Sequence, residues 1–194
     1  MGMPFTKLPT DIWTKIGINA GVIMSDFDVS ENAVDKDDII GATTGTITFH
    51  ATPSFKDFGE DVNNCPKNTK ELMQPDEWEI TLSGTFISAD TAASKRLMAL
   101  ADISGNKITP RNTIDILNDF QDLWYVFDYG DVHTGQNPGR YIIHMMDTMN
   151  TGGFQVETDD KEKAKWAFEF TAHFSADAED EVPFEVYVIP GVNP

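Results

Sequence analysis

The sequence predicts a mainly β, α+β domain: a two-sheet β-sandwich or barrel with one flanking α-helix. Three observations predict it. From Glu77 to Phe86, Trp78, Ile80, Leu82, Gly84 and Phe86 alternate with Glu77, Glu79, Thr81, Ser83 and Thr85, so one face of a strand enters a core and the other meets water. Lys165 to Ser175 repeats the pattern, with Trp166, Phe168, Phe170, Ala172 and Phe174 inward and Ala167, Glu169, Thr171, His173 and Ser175 outward. One stretch, Asp90 to Ala101, has helical spacing. Ala93, Leu97, Leu100 and Ala101 share a face, Asp90 is placed to cap the first turn, and Lys95 and Arg96 fall on the exposed side.

In chain order, residues 1–13, with Pro4 and Pro9, read as an arm that orders only when something holds it. Lys15 to Met24 reads as a strand and Ser30 to Asp38 as an acidic loop. Asp35, Asp37 and Asp38 raise the question of calcium, but the spacing and closing glutamate of an EF-hand are missing. Gly45 to His50 is a second strand, Ile47 and Phe49 alternating with Thr46, Thr48 and His50. The segment from Ala51 to Pro75 sustains no period and is far longer than the usual connection of about 4 to 6 residues. Its Phe55, Phe58, Val62, Leu72 and Met73 are too apolar for a solvated linker, so this long loop is predicted to order against a surface, such as a neighbouring subunit's.

After the anchor strand and helix, Ser104 to Lys107 makes a turn. Leu123 to Tyr129 and Tyr141 to Met146 carry apolar residues on both faces, which predicts cover on both sides by a second sheet plus the helix, or by another chain. Phe184 to Ile189 is a last strand, and 190–194 is a short tail. The whole chain, 1–194, reads as one domain.

Composition excludes some function classes. With 40% hydrophobic residues, 13 Phe and 4 Trp, the chain has a core to bury. Its 32 acidic and 14 basic residues give a net charge of −18, and no basic patch is concentrated enough to hold nucleic-acid phosphates. The lone Cys65 forms no internal disulfide, so the fold is independent of an oxidising compartment. The N-terminus lacks the apolar run of a signal peptide and no stretch is long enough to span a bilayer, so the expected site of synthesis is a cytoplasm.

No residue set points to catalysis. His50, His133, His144 and His173 lack zinc-like spacing, and His144 reads as a core or interface histidine. No nucleophile elbow, P-loop or dinucleotide fingerprint is present. Cys65 has no sequence neighbour that would lower its pKa, and Glu77 with Glu79 reads as a solvated face. Trp124, Tyr125, Phe127 and Tyr129 alternate as core aromatics do, and Met145, Met146 and Met149 as gap-fillers. The sequence implies no enzyme, catalytic residue, metal or cofactor.

Five blocks carry a family resemblance: DFGEDVNNCPKNTKEL (57–72), EITLSGTF (79–86), ADISGNKITPRN (101–112), the run from Ile143 to Ser175, and a closing VPFEVYV. Together they resemble the major tail protein, or tail tube protein, of long non-contractile-tailed bacteriophages of Gram-positive hosts, from about Gly41 to Val188. The resemblance implies a tail-tube-like β-sandwich that self-associates into hexameric rings, with inner strands joined in a continuous barrel. The rings stack into the tube through which DNA leaves the capsid, without specific binding and without a membrane partner. It also implies contacts with tape measure, tail tip and tail terminator proteins, and a place in the virion tail after synthesis in the host cytoplasm.

In such proteins a long loop and the terminal arms bridge rings. The expected subunit-interface residues are therefore Phe55, Phe58, Asp61, Val62, Cys65, Pro66, Lys67, Asn68, Lys70 and Leu72. One of two polar rows, Glu77-Glu79-Thr81-Ser83-Thr85 or Glu169-Thr171-His173-Ser175, is expected to line the lumen, where acidic and small polar groups deny phosphates a partner. The alternative is a monomeric carbohydrate- or ligand-binding β-sandwich using its aromatics. A third class, an enzyme working through paired carboxylates, would need those acids to converge in a cleft.

Overall fold

A computed structural model describes residues 8–9, 11–130 and 139–191, with Trp13 described by its backbone only. The strands are β1 (Gly17–Met24), β2 (Ile39–Gly41), β3 (Thr43–Asp57), β4 (Met73–Phe86), β5 (Ala101–Ser104), β6 (Lys107–Pro110), β7 (Gln121–Tyr129), β8 (Gly139–Asn150), β9 (Gln155–Glu157), β10 (Lys165–Ala172) and β11 (Phe184–Ile189). One helix, α1 (Thr91–Met98), precedes the β5–β6 hairpin. The arm expected at 1–13 falls largely outside the described residues, as do His133 and the end of the tail at 192–194. Ile12–Lys15, at the arm's end, forms a single 3₁₀ turn.

Nine strands form one antiparallel sheet in the order β2-β1-β7-β8-β10-β4-β3, with β11 also on β8 and β9 on β10. Strand β8 is where the sheet divides. Its Arg140–Met145 stretch pairs with β11, whereas Thr148–Asn150 pairs with β10. Between the two stretches Asp147 adopts φ 49°, a left-handed kink uncommon for a residue other than glycine. The two halves fold over one another, because β7 residues Leu123 and Tyr125 share a core with Ile80 and Leu82 of β4 and with Phe168 and Phe170 of β10. Phe184 of β11 completes the closure, its ring lying 5.6 Å from Phe49 and 5.8 Å from Trp78.

The alternation in β4 and β10 is realised: Ile80, Leu82, Phe86, Phe168, Phe170 and Ala172 are buried while Glu77, Glu79 and Glu169 are exposed. Gly84 sits on the buried face because a Cβ there would come within 2.7 Å of the Phe168 ring. Strand β10 ends at Ala172, however, so Phe174 is exposed rather than inward. Helix α1 is capped as expected, the Asp90 carboxylate accepting from the Ala93 amide at 2.7 Å. It stops at Met98, with Ala99 at φ 59°, so Ala101 is buried as the first residue of the β5–β6 hairpin instead of the last of the helix. Arg96 also departs from its expected exposed position, lying against β7 with its guanidinium donating to the Asp122 carbonyl at 3.3 Å. Buried Asn150 ties helix to sheet: its amide donates to the Leu97 carbonyl at 2.6 Å, and its oxygen accepts from the Glu169 amide at 2.9 Å.

The two-faced strands β7 and β8 are covered twice within the chain, and on the second face the cover comes from a loop instead of the helix. Trp124, Val126 and Ile142, with Met24 of β1, pack under Phe27, Val29 and Val34, which belong to the acidic segment between β1 and β2. Apolar residues spaced among acids let a surface loop act as a lid on one face of the sheet. His144 lies on that same face, stacked on Trp124 with ring centroids 3.7 Å apart.

Candidate functional site

Strands β3 and β4 form a hairpin that begins in the folded-over sheet and continues beyond the reach of β10. Pairing runs from Thr43↔Phe86 through Ala51↔Ile80 to Asp57↔Met73. The segment 51–75 is therefore not an irregular connection: its first and last parts are paired strand, and the unpaired tip is confined to 58–72. Pro53 and Pro75 are tolerated within these paired strands because β3 is the sheet's last strand and β10 pairs β4 only from Thr81 to Phe86. A register shift between Ser54 and Phe55 breaks the side-chain alternation at the base of this arm.

The tip is ordered by its own hydrogen bonds. One carboxylate oxygen of Asp57 accepts from the Gly59 amide at 2.7 Å, and the other accepts from the Asn68 amide at 2.9 Å. The Asn68 bond, followed by the Gly59 bond, holds the Asp57 carboxyl below the usual aspartate range. The Thr69 hydroxyl donates to the Pro66 carbonyl at 2.7 Å, and Asn64 and Asn68 take left-handed turns at φ 63° and 59°. Asp57 is a tip-organising residue that the sequence did not single out.

The expected interface residues are brought together on this arm, and they divide in two. Phe55, Phe58 and Val62 are more than half exposed, and Asp61, Pro66, Lys67, Asn68 and Lys70 are exposed beside them. Cys65 and Leu72 are half-buried and pack around Gly59, so they shape the tip from within. The Lys56 ammonium lies 5.5 Å from the Phe58 ring centre and covers part of that ring.

The two polar rows expected as alternatives for a lumen lie on a single face. Glu169 pairs with Ser83 and Thr171 with Thr81 across β10 and β4. On the other side of β4, Thr48 pairs with Ser83, His50 with Thr81, Thr52 with Glu79 and Ser54 with Glu77. Directly paired residues point to the same side of a sheet, so these rows make one continuous surface of Thr, Ser and Glu. Short hydroxyl contacts knit it: the Thr151 and Thr171 hydroxyls are 2.6 Å apart, and the Thr52 hydroxyl meets the His50 ring at 2.7 Å. No Lys or Arg lies within the paired rows, and Lys56 and Lys165 stand beyond their ends. His173 leaves the row: it follows the end of β10, packs edge-on against Phe120 and contacts the Asp147 carbonyl at 3.1 Å. Ser175 likewise lies past the strand, in a turn closed by the Ala178 amide.

Of the four β7 aromatics considered as a sugar-stacking platform, Trp124 and Tyr125 are buried and Phe127 and Tyr129 are half-buried. Among the described residues no three His, Cys, Asp or Glu side chains converge on a metal-sized site, and no helix is long and apolar enough to cross a membrane. Compared with family models, curated proteins and solved structures, the chain gives no match.

Proposed function

We propose that this protein is a structural, tube-forming subunit that assembles into stacked hexameric rings of a phage tail, through which DNA passes into a host. The observation that carries the reading is the continuous Thr, Ser and Glu face of β3, β4 and β10, free of Lys and Arg within its paired rows, beside an ordered arm tipped with exposed Phe55, Phe58 and Val62. A surface of this kind gives a polyanion nothing to bind, which is the requirement for a duplex to slide rather than stick. Strand β3 has a row of backbone donors and acceptors on its outer edge, and pairing that edge with a neighbouring copy would satisfy them and close a barrel. The sequence blocks at 57–72 and 79–86 that resemble tail tube proteins fall on the arm and the polar face.

In this reading the arm supplies contact between subunits and rings, the polar face lines the lumen, and the partners are further copies and other tail proteins. Negative-stain microscopy and sedimentation of the purified protein across a concentration series test it. Rings or tubes of uniform bore are the expected product, and a monomer at every concentration would overturn the reading.

A further inference from the structure

Three neighbouring strands place one residue each in a row across the sheet: Trp124 of β7 pairs with His144 of β8, and His144 pairs with Glu185 of β11. Directly paired residues stand on the same face, so the imidazole has an aromatic neighbour on one strand and a carboxylate on the other. Its ring lies flat on Trp124, at an interplanar angle of 7°, and its side chain is only 12% exposed. Nε2 is 3.0 Å from one oxygen of Asp122, and Nδ1 is 3.8 Å from Oε2 of Glu185. The ring therefore stands between two acids that belong to different strands.

The two ring nitrogens are not equivalent. The His144 hydrogen bond, with the Asp147 amide and Arg96 adding to it against the cost of burial, holds the Asp122 carboxyl below the usual aspartate range. An ionised Asp122 only accepts, so Nε2 carries the proton of the neutral ring and Nδ1 is left bare. Nδ1 is buried, has no hydrogen-bond partner and faces a carboxylate that is also an acceptor. Glu185 is held in that position by the Tyr187 hydroxyl, which donates to the same Oε2 and is raised above the usual tyrosine range by that bond. Among the described residues, Asp122 and Glu185 are the charged groups within ion-pair reach of the ring. Arg96 of α1 stands behind Asp122, donating to its backbone carbonyl, and the lid reaches this face through Phe27, its ring 6.1 Å from Trp124.

We propose that His144 is a proton-operated latch on β11: one proton taken from solvent onto Nδ1 pairs the ring with Glu185 and ties β11 to β7 through Asp122, and its loss unties them. Neutral, the ring leaves an orphaned buried acceptor facing a carboxylate; charged, it meets Asp122 with one N–H and Glu185 with the other. Only the charged ring gains from Glu185, so the hold on β11 is complete at low pH and is lost as pH rises. Histidine changes charge between about pH 5 and 8, which places the change in that window. Among the described strands β11 pairs with β8 alone, and its Phe184 closes the two halves of the sheet against Phe49 and Trp78. The latch therefore sets how firmly that closure is held. Every group in it belongs to one chain, so it does not depend on the assembly reading above.

The test is native-state hydrogen exchange on the full chain, read as protection factors so that the intrinsic pH dependence of exchange is removed. Protection of the β11 amides is expected to fall about threefold or more from about pH 5.5 to about pH 7.5, while the β4 amides at Ile80 and Leu82 keep theirs. Glu185→Gln keeps an acceptor for the Tyr187 hydroxyl and removes the charge, so its β11 protection is expected to be the same at both pH values. A wild type without the fall, or a variant that shows the same fall, overturns the latch. A second measurement, on the wild type alone, does not depend on the variant's folding. Nitrogen NMR of the imidazole under conditions where the ring is neutral is expected to find its proton on Nε2. A proton on Nδ1 would overturn the latch, because that nitrogen would already serve Glu185 without a change of charge.

Discussion

The β3–β4 hairpin is one continuous pairing with two different ends. Its inner half, around Ile80, Leu82 and Phe86, is buried almost completely, with exposures of 1%, 0% and 0%. Its outer half has β3 alone as a neighbour to β4, carries two prolines and a register shift, and ends in exposed Phe55, Phe58 and Val62. The inner half is held by side-chain packing from β1, β2, β7, β8, β10, β11 and the helix. The outer half is held by backbone pairing and one aspartate clasp, so its side chains are free to face something else. Stability therefore resides in one end of the hairpin and the proposed assembly function in the other.

The largest expected effect tests the inner end. Leu82→Ala removes a fully buried side chain from the core enclosed by the folded sheet and is expected to cost about 2–5 kcal/mol in urea denaturation. A loss under about 1 kcal/mol would mean the core is not where the burial places it. At the outer end, deletion of Phe58 to Lys70 is expected to leave a folded chain whose stability changes by under about 1 kcal/mol, since loop length enters closure entropy only logarithmically. Assembly should be abolished. An unfolded product would show that the tip belongs to the core.

The Asp57 clasp separates the two ends by pH. Its folded pKa is lowered, so the order it contributes to the tip is complete above the ordinary aspartate range and is lost as pH falls through the lowered value. Acidification, and Asp57→Asn at neutral pH, should speed amide exchange at Gly59 and Asn68 while leaving β4 amides at Ile80 and Leu82 protected. Equal exchange at both ends would erase the distinction. The smallest expected effect on the fold comes from the polar face: Glu79→Lys and Glu169→Lys should each change stability by about 0.5 kcal/mol or less. They should nonetheless make assembled tubes retain duplex DNA at low salt, whereas the wild type does not.

What the sequence disclosed follows the same division. Period-two alternation exposed β4 and β10, and the cap at Asp90 exposed the start of α1, because each depends on a local pattern that the core then uses. Residues 51–57 and 73–75 did not read as strand: prolines normally exclude central strands, and nothing in the local sequence says that a strand is at an edge. Strands β2 and β9 are three residues each, too short to show a period. The lid over β7 was hidden because Phe27, Val29 and Val34 are diluted by acids, and their shared contact with Trp124 exists only once the chain has folded.

Of the candidate surfaces, the arm's apolar residues were legible as composition without structure. The polar face appeared as two separate rows, and only the β4–β10 register makes them one. His144 was legible as a core or interface histidine, but nothing in the sequence sets Glu185 opposite it, a pairing that exists only once β11 joins β8.

The most direct test of the central claim is a cryo-electron microscopy reconstruction of the assembled protein, read for the position of the Thr81–Thr171 and Ser83–Glu169 pairs. The account predicts a ring in which these pairs line the bore and the 58–72 tip touches a neighbouring copy. A ring with those pairs on its outer wall, or with the tip free in solvent, would contradict it.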